Sequence, residues 1–294
     1  MYDRDAAMGS GRMGDFLELT KPRVTSLVLI TTLVGFYMAS GSGLASIMLL
    51  HSMLGTALVA GGASALNQYV ERHHDARMNR TRNRPLASHR LNEREALVFS
   101  VGISVAGIVY LGMFANALTG LLAALTLVSY VFVYTPLKRR TALATIIGAV
   151  PGAAPPVLGW TAAGGTLDGM AGALFMIVFL WQLPHFVAIA WIYDEDYLRG
   201  GFPHLTVTHS GVDGASRQII LYCCVLIPVS LLPTTLAVTG TTYMFAAVLC
   251  GLVYLGYGTA VAVVRTPAAA KRLLRVSVIY LPVLLLIMVL DKTG

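Results

Sequence analysis

Residues 44–75 read LASIMLLHSMLGTALVAGGASALNQYVERHHD. The part up to Leu66 carries no Asp, Glu, Lys or Arg, and ~20 such apolar residues in a helix cross ~30 Å of hydrocarbon. Gly61, Gly62, Ala63, Ser64 and Ala65 suit close helix packing inside a membrane. Asn67, Glu71 and Asp75 then follow at i, i+4 and i+8. At ~100° per residue they fall within roughly 80° of one another and rise along about 12 Å of helix. One helix face therefore presents an amide and two carboxylates where the chain leaves the membrane. The plain reading is a solvated helix end beside arginines. Against it, like charges at i, i+4 repel by a few tenths of a kcal/mol, and burial raises that cost steeply. A divalent cation between the carboxylates removes the conflict. Mg²⁺ suits such a place, because it takes one or two carboxylates, several waters and substrate phosphates.

Outward from that stretch, eight more apolar runs can be marked, at 24–41, 97–115, 117–134, 142–160, 171–192, 218–238, 243–264 and 276–290. The expected fold class is all-α integral membrane, with nine transmembrane helices forming one domain over 21–294 behind an N-terminal segment, 1–20. Only 12% of the 294 residues are charged, 56% are hydrophobic, and the mean hydropathy is +0.71. A soluble domain carries about 25% charged residues. A transmembrane β-barrel would alternate polar and apolar residues in ~10-residue strands, and this chain does not. The N-terminus lacks the pattern of a cleaved secretory signal. Cys223, Cys224 and Cys250 lie inside apolar runs without CxxC spacing and read as small core hydrophobes.

The net charge of +7 reads as topology before it reads as nucleic-acid binding. Of 21 Lys and Arg, all but Lys292 fall in the N-terminal segment or in the loops after spans 2, 4, 6 and 8. The positive-inside rule places those segments in the cytoplasm and the C-terminus outside. No nucleic acid is needed to explain the charge. The loops after spans 2 and 6 are long, and long loops in a compact protein carry function.

Those loops hold the remaining candidates. After Asp75 come Arg77, Arg80, Arg82 and Arg84. Arginines beside an acidic metal site suit bidentate contact with phosphate oxygens, though anchoring at a lipid surface also explains them. Together, Mg²⁺ and Arg point to a diphosphate-bearing substrate at the membrane surface. The loop after span 4 runs Tyr134-Thr135-Pro136-Leu137-Lys138-Arg139-Arg140. Span 6 ends with Pro184, His185, Tyr193, Asp194, Glu195 and Asp196. Of these, His185 is an ionisable group well inside a span, which makes it a functional candidate or a satisfied packing residue.

These stretches resemble the UbiA superfamily of intramembrane prenyltransferases, and within it the heme-farnesylating branch. The resemblance rests on Thr20-Lys21-Pro22-Arg23, on Asn67, Glu71 and Asp75 continuing through Met78, Arg80, Thr81, Arg84, Pro85 and Leu86, and on Tyr134 to Arg139. It also rests on Gly148 to Pro156 with Gly159 and Trp160, and on Leu183 to Phe186 with Asp196, Tyr197, Gly200, Gly201 and Pro203. The superfamily's usual pattern has aspartate-rich repeats at both sites. Here Glu71 stands where many relatives have Asp, and the second repeat is reduced to His185 and Asp196 flanking Tyr193. The resemblance implies a helical bundle whose central apolar cavity opens to a cytoplasmic polar site. It implies farnesyl diphosphate and heme b as substrates, Mg²⁺ as cofactor, a bacterial inner-membrane location, and heme A synthase or a terminal oxidase as assembly partners. Asn67, Glu71, Asp75 and Asp196 are the expected metal ligands. Arg23, Arg80, Arg84, Lys138 and Arg139 are expected on the diphosphate. Tyr134 and Tyr193 are expected to face cationic carbon, or else to be interfacial belt tyrosines. His73, His74 and His185 are candidates for heme or proton handling.

Two other readings compete. An aromatic quinone precursor as acceptor stays within the superfamily, but the reduced second acidic motif argues against it. A transporter would place polar groups near the midplane, yet no Asp or Glu lies between residues 96 and 167.

Overall fold

A computed structural model describes residues 11–41, 46–207 and 211–293; of the expected N-terminal segment 1–20, residues 1–10 lie outside the described residues. The described residues form a helical bundle with no named strand. A short amphipathic helix, α1 (Arg12–Leu19), precedes α2 (Pro22–Ala39), which starts on a proline whose fixed φ suits the first helical position. α3 (Ser46–Asp75) and α4 (Glu93–Phe114) flank a loop of turns. α5 (Ala117–Val128) runs straight into a π-helical turn, Ser129–Tyr134, and a short helical turn, Thr135–Leu137. α6 (Ala144–Ala162) and α7 (Gly169–Ile192) follow, then the short α8 (Asp194–Gly200). α9 (Val212–Val229), α10 (Thr241–Val264) and α11 (Pro267–Leu290) complete the chain. Helix starts are capped where sequence rules expect it. Asn92 Oδ1 accepts from Arg94 N at 2.9 Å, Asn116 Oδ1 from Thr119 N at 2.8 Å, and Asp168 Oδ1 from Met170 N and Ala171 N at 3.0 Å.

Successive long helices run in opposite directions between two ends of the bundle. At one end lie Lys21, Asp75 and Lys138. At the other, Lys292 Nζ donates to Tyr37 O at 2.9 Å and to Ser40 O, and Asp291 Oδ2 accepts from Tyr243 N at 2.7 Å. The residues just after α11 thus clasp the C-terminal carbonyls of α2, where a cation is favoured, and the start of α10.

Eight helices among the described residues are long and apolar enough to cross a membrane, so the expectation of nine apolar spans is corrected to eight. The run at 142–160 is a helix, α6, but Pro151, Pro155 and Pro156 lower its hydropathy. At 1.5 Å per residue it is still about 28 Å long, and it is largely buried between α2, α5 and α7. A helix shielded by its neighbours needs less apolar surface than one bathed in lipid. Its fit against α2 is backbone to backbone. A Cβ added to Gly35 would strike Pro156 O, and one added to Gly159 would strike Thr32 O, which is the close approach that small residues permit inside membranes. The bundle's outside is apolar, with Leu27, Val98, Leu121, Phe245, Val263 and Leu290 exposed, as lipid contact demands.

Candidate active site

The polar end of α3 is the floor of the site. Asn67, Glu71 and Asp75 are 2%, 6% and 1% exposed, so the helical spacing does bring the amide and both carboxylates to one buried face. The cost of burying such a set is offset by pairing. Each acceptor faces a cation from another segment. Lys21 Nζ donates to Asn67 Oδ1 at 3.2 Å, Lys138 Nζ to Glu71 Oε1 at 2.8 Å, and an Arg84 Nη to Asp75 Oδ2 at 2.7 Å. Asp75 Oδ1 is buried with no hydrogen-bond partner. An orphaned carboxylate oxygen of this kind is what a missing cation ligand leaves behind.

Local structure explains how the cations arrive. Lys21 sits just before Pro22 with φ +49°, a left-handed conformation rare for a residue with a side chain. That turn sends Lys21 inward as the helix begins. Burial, then the Arg84 and Lys138 cations, push its ammonium down to about 7. For Lys138, burial also opposes the charge, but the Glu71 carboxylate outweighs it and holds the group above the usual lysine range. The loop after α3 turns back on itself through Thr81, whose Oγ1 donates to Asp75 O at 3.0 Å, and so returns Arg84 to the carboxylate.

The π-helical turn forms one wall. Thr135 N–H bonds Tyr130 O in the i→i+5 pattern, and such turns recur at functional sites. It sets the Tyr130 and Tyr134 rings 5.5 Å apart, with Lys138 Nζ 4.5 Å from the Tyr134 ring centre. Asn67 Nδ2 donates to Thr135 Oγ1 at 3.3 Å, tying this wall to the floor. Gly148 on α6 leaves the room that the Tyr134 ring fills, since a Cβ there would collide with that ring. The enclosed cavity has a volume of about 220 Å³ and is lined at its polar end by Lys21, Asn67, Glu71, Asp75, Arg80 and Lys138, and on its apolar side by Phe186, Ile189 and Leu205.

Other expected site residues stand elsewhere. Asp196 does not meet Glu71 and Asp75. Its Oδ1 accepts from Asn79 N at 3.2 Å, its Oδ2 from Arg80 N at 3.1 Å, and Arg199 bonds it at 2.9 Å. It therefore caps the returning loop and does not line the cavity. Among the described residues no group of three or more His, Cys, Asp or Glu is gathered for a metal. Arg80 does line the cavity, with its guanidinium 5.0 Å from the Tyr193 ring centre. Tyr193 is thereby covered by Arg80 and acts on the arginine, while Tyr197, not expected, lines the cavity. Arg23 is exposed and does not line the cavity. Arg139 is exposed too, with its guanidinium 3.4 Å from His74 Nε2. His74 Nδ1 lies 2.7 Å from Gly200 O and its ring 5.1 Å from Phe202; it joins α3 to the loop after α8. His73 is exposed, and neither histidine lines the cavity. His185 lies one turn deeper, outside the cavity wall.

Comparison with known proteins agrees with this architecture. The UbiA prenyltransferase family matches residues 28–281. A protoheme IX farnesyltransferase of Solibacter usitatus is 46% identical over 96% of this chain and 100% of its own length. A second protein of that name, from Legionella pneumophila (strain Paris), is 40% identical over 94% of each chain. Among solved structures, one described for digeranylgeranylglyceryl phosphate synthase superposes with a TM-score of 0.78 at 17% identity, covering 95% of this chain and 98% of the other. A UbiA homolog from Archaeoglobus fulgidus bound to GPP and Mg²⁺ superposes with a TM-score of 0.66 at 13% identity, covering 93% and 99%. At those identities the structural likeness speaks for the fold.

Proposed function

Since the chain belongs to the UbiA prenyltransferase family, we propose that it transfers a farnesyl group from farnesyl diphosphate to a vinyl group of heme b, with addition of water, to give heme O. The relatives named protoheme IX farnesyltransferase support the acceptor and the donor. The observation that carries the reading is the set of three buried acceptors, Asn67, Glu71 and Asp75, each against a cation at the mouth of an apolar bundle. A free lone pair remains on Asp75 Oδ1. Asn67, Glu71 and Asp75 are the groups to hold Mg²⁺, and the UbiA homolog from Archaeoglobus fulgidus bound to GPP and Mg²⁺ supports that choice of metal. When bound, the ion neutralises charge that develops on the departing diphosphate.

The chain's own residues divide the remaining work. Lys21 turns from the Asn67 amide, Arg84 and Lys138 from their carboxylates, and Arg80 from the tyrosine rings, to the diphosphate oxygens. The 15-carbon tail gains up to roughly 12 kcal/mol in an apolar surrounding, at ~0.8 kcal/mol per buried CH₂, and Phe186, Ile189 and Leu205 begin that surrounding. The tail and the charged head thus pull toward opposite sides of one cavity, which sets the scissile C–O bond between them. As that bond breaks, allylic cation character faces the rings of Tyr130 and Tyr134, whose π faces attract positive charge. The vinyl group supplies the electron pair for the new C–C bond, and water adds to the cation left on the acceptor and gives up a proton, leaving a hydroxyl group. The basic end faces the cytoplasm of a bacterial inner membrane, as the Lys and Arg bias indicates. Heme A synthase or a terminal oxidase is the expected recipient of the product.

The test is product mass. Purified protein given heme b, farnesyl diphosphate and Mg²⁺ yields heme enlarged by one farnesyl group and one hydroxyl group. Recovery of unmodified heme, with prenylation of an added quinone precursor instead, would overturn the acceptor.

A further inference from the structure

His185 is the titratable group that the diphosphate chemistry leaves unused. It sits on α7 between Pro184 and Phe186, half-buried while Gln182, Leu183 and Pro184 beside it are buried. Its Nδ1 lies 2.7 Å from Ser277 Oγ on α11. That hydroxyl has one proton, and it goes to Leu274 O at 2.7 Å, the back-bond a helical serine commonly makes. Ser277 Oγ can then only accept from the ring. The proton of the uncharged imidazole is therefore on Nδ1, and Nε2 carries the free lone pair.

The ring has two aromatic neighbours. Trp181 lies 5.3 Å away, tilted by 32°, and donates its Nε1–H to Ser277 O at 2.7 Å. Tyr254 OH donates to Trp181 O at 3.1 Å, which brings α10 into the same scaffold. Phe186, whose ring centre lies 5.9 Å from that of His185, lines the reaction cavity. Ile189, four residues along α7, lines it too, and four residues are about one helical turn, ~5.4 Å. An imidazole fixed at Nδ1 by an oxygen acceptor, with Nε2 free, is the arrangement that metal-ligating histidines adopt.

We propose that His185 Nε2 is the axial ligand to the iron of the acceptor heme, with Ser277 as the positioning residue that fixes the tautomer. The inference rests on heme being the acceptor. Ligation one turn below the cavity holds the macrocycle by its centre and leaves its vinyl-bearing rim to reach the allylic carbon. It also gives the enzyme a means of choosing a metalated porphyrin over a metal-free one, since the latter offers no coordination position.

The experiment titrates the full-length protein in detergent with ferric protoheme IX, without farnesyl diphosphate, and reads the absorption and electron paramagnetic resonance spectra. Wild type gives an imidazole-ligated spectrum. His185→Ala loses that signature and binds heme on the order of tenfold more weakly, and added imidazole restores the ligated spectrum. His185→Gln, which keeps a polar partner for Ser277, loses the signature as well. Ser277→Ala keeps it but weakens binding. A wild-type spectrum in either His185 variant, or wild-type protein whose heme shows no nitrogen ligation, overturns the proposal. Product mass from wild type separates the two readings. Farnesylated heme together with an unchanged His185→Ala spectrum removes the ligand and leaves the reaction standing, whereas absence of farnesylated heme removes the reaction itself.

Discussion

Asp75 is the residue on which the chemistry depends most directly, because one of its oxygens is paired with Arg84 and the other is buried without a partner. Asp75→Asn keeps its shape and removes its charge. Turnover is expected to fall by at least 10²–10³-fold, the roughly comparable cost of losing one electrostatic stabiliser, while membrane insertion stays near wild type; a variant turning over at the normal rate would sink the metal assignment. Lys21 and Arg23 make a paired test. Lys21→Ala removes a cation that lines the cavity and should weaken farnesyl diphosphate binding by about 2 kcal/mol, the scale of a hydrogen bond to a charged group. Arg23→Ala, on an exposed side chain, should leave that affinity within experimental error. The family resemblance put Arg23, and not Lys21, on the diphosphate. What decides between them is the left-handed turn at Lys21, a backbone property that side-chain chemistry does not announce. Asn67, Glu71 and Asp75 were legible for the opposite reason: helical periodicity by itself puts them on one face.

At the level of elements, the π-helical turn and α6 work as a unit. Gly148→Ala adds a methyl group where the Tyr134 ring lies, and overpacking of this kind costs about 1–3 kcal/mol. The ring, and with it Lys138, should shift, so turnover is expected to drop while farnesyl diphosphate still binds; separate kcat and KM measurements show whether the loss falls on kcat. The returning loop gives a second case. Asp196→Ala leaves the N–H groups of Asn79 and Arg80 without their acceptor, so the 76–84 segment should exchange its amide hydrogens faster than in wild type, whereas Mg²⁺ affinity stays close to normal. Sequence reading placed Asp196 at the metal because an acidic residue near a second loop matches the superfamily's second repeat. A capping role depends on which distant backbone comes within 3 Å, and no spacing within 182–197 encodes that. Tyr130 is a different kind of omission. Its i, i+4 relation to Tyr134 was visible, but a π turn, not an α turn, decides which way the pair faces.

For the molecule as a whole, charge segregation and hydropathy were readable from end to end, and the helix directions follow them. The count of apolar spans was not, because the prolines of α6 lower its hydropathy while its neighbours remove the need for apolar surface. Reporter fusions test the orientation, which requires the shielded α6 to cross as well as the eight apolar spans: an enzyme active only outside the cytoplasmic membrane should be active when fused after Thr293 and inactive when fused in the loop between Arg77 and Arg90. The pairing of cations with acceptors at the site has one more consequence, for the order in which ligands load. Lys21, Arg80, Arg84 and Lys138 against Glu71 and Asp75 leave the cavity wall at +2, or +1 when Lys21 is neutral. A free divalent ion meets net repulsion there, and a diphosphate meets attraction. Metal and prenyl diphosphate are therefore thermodynamically linked, each raising the other's affinity by the same factor. Calorimetric titration of Mg²⁺ alone should register weak uptake, and the same titration with farnesyl diphosphate present should be markedly tighter.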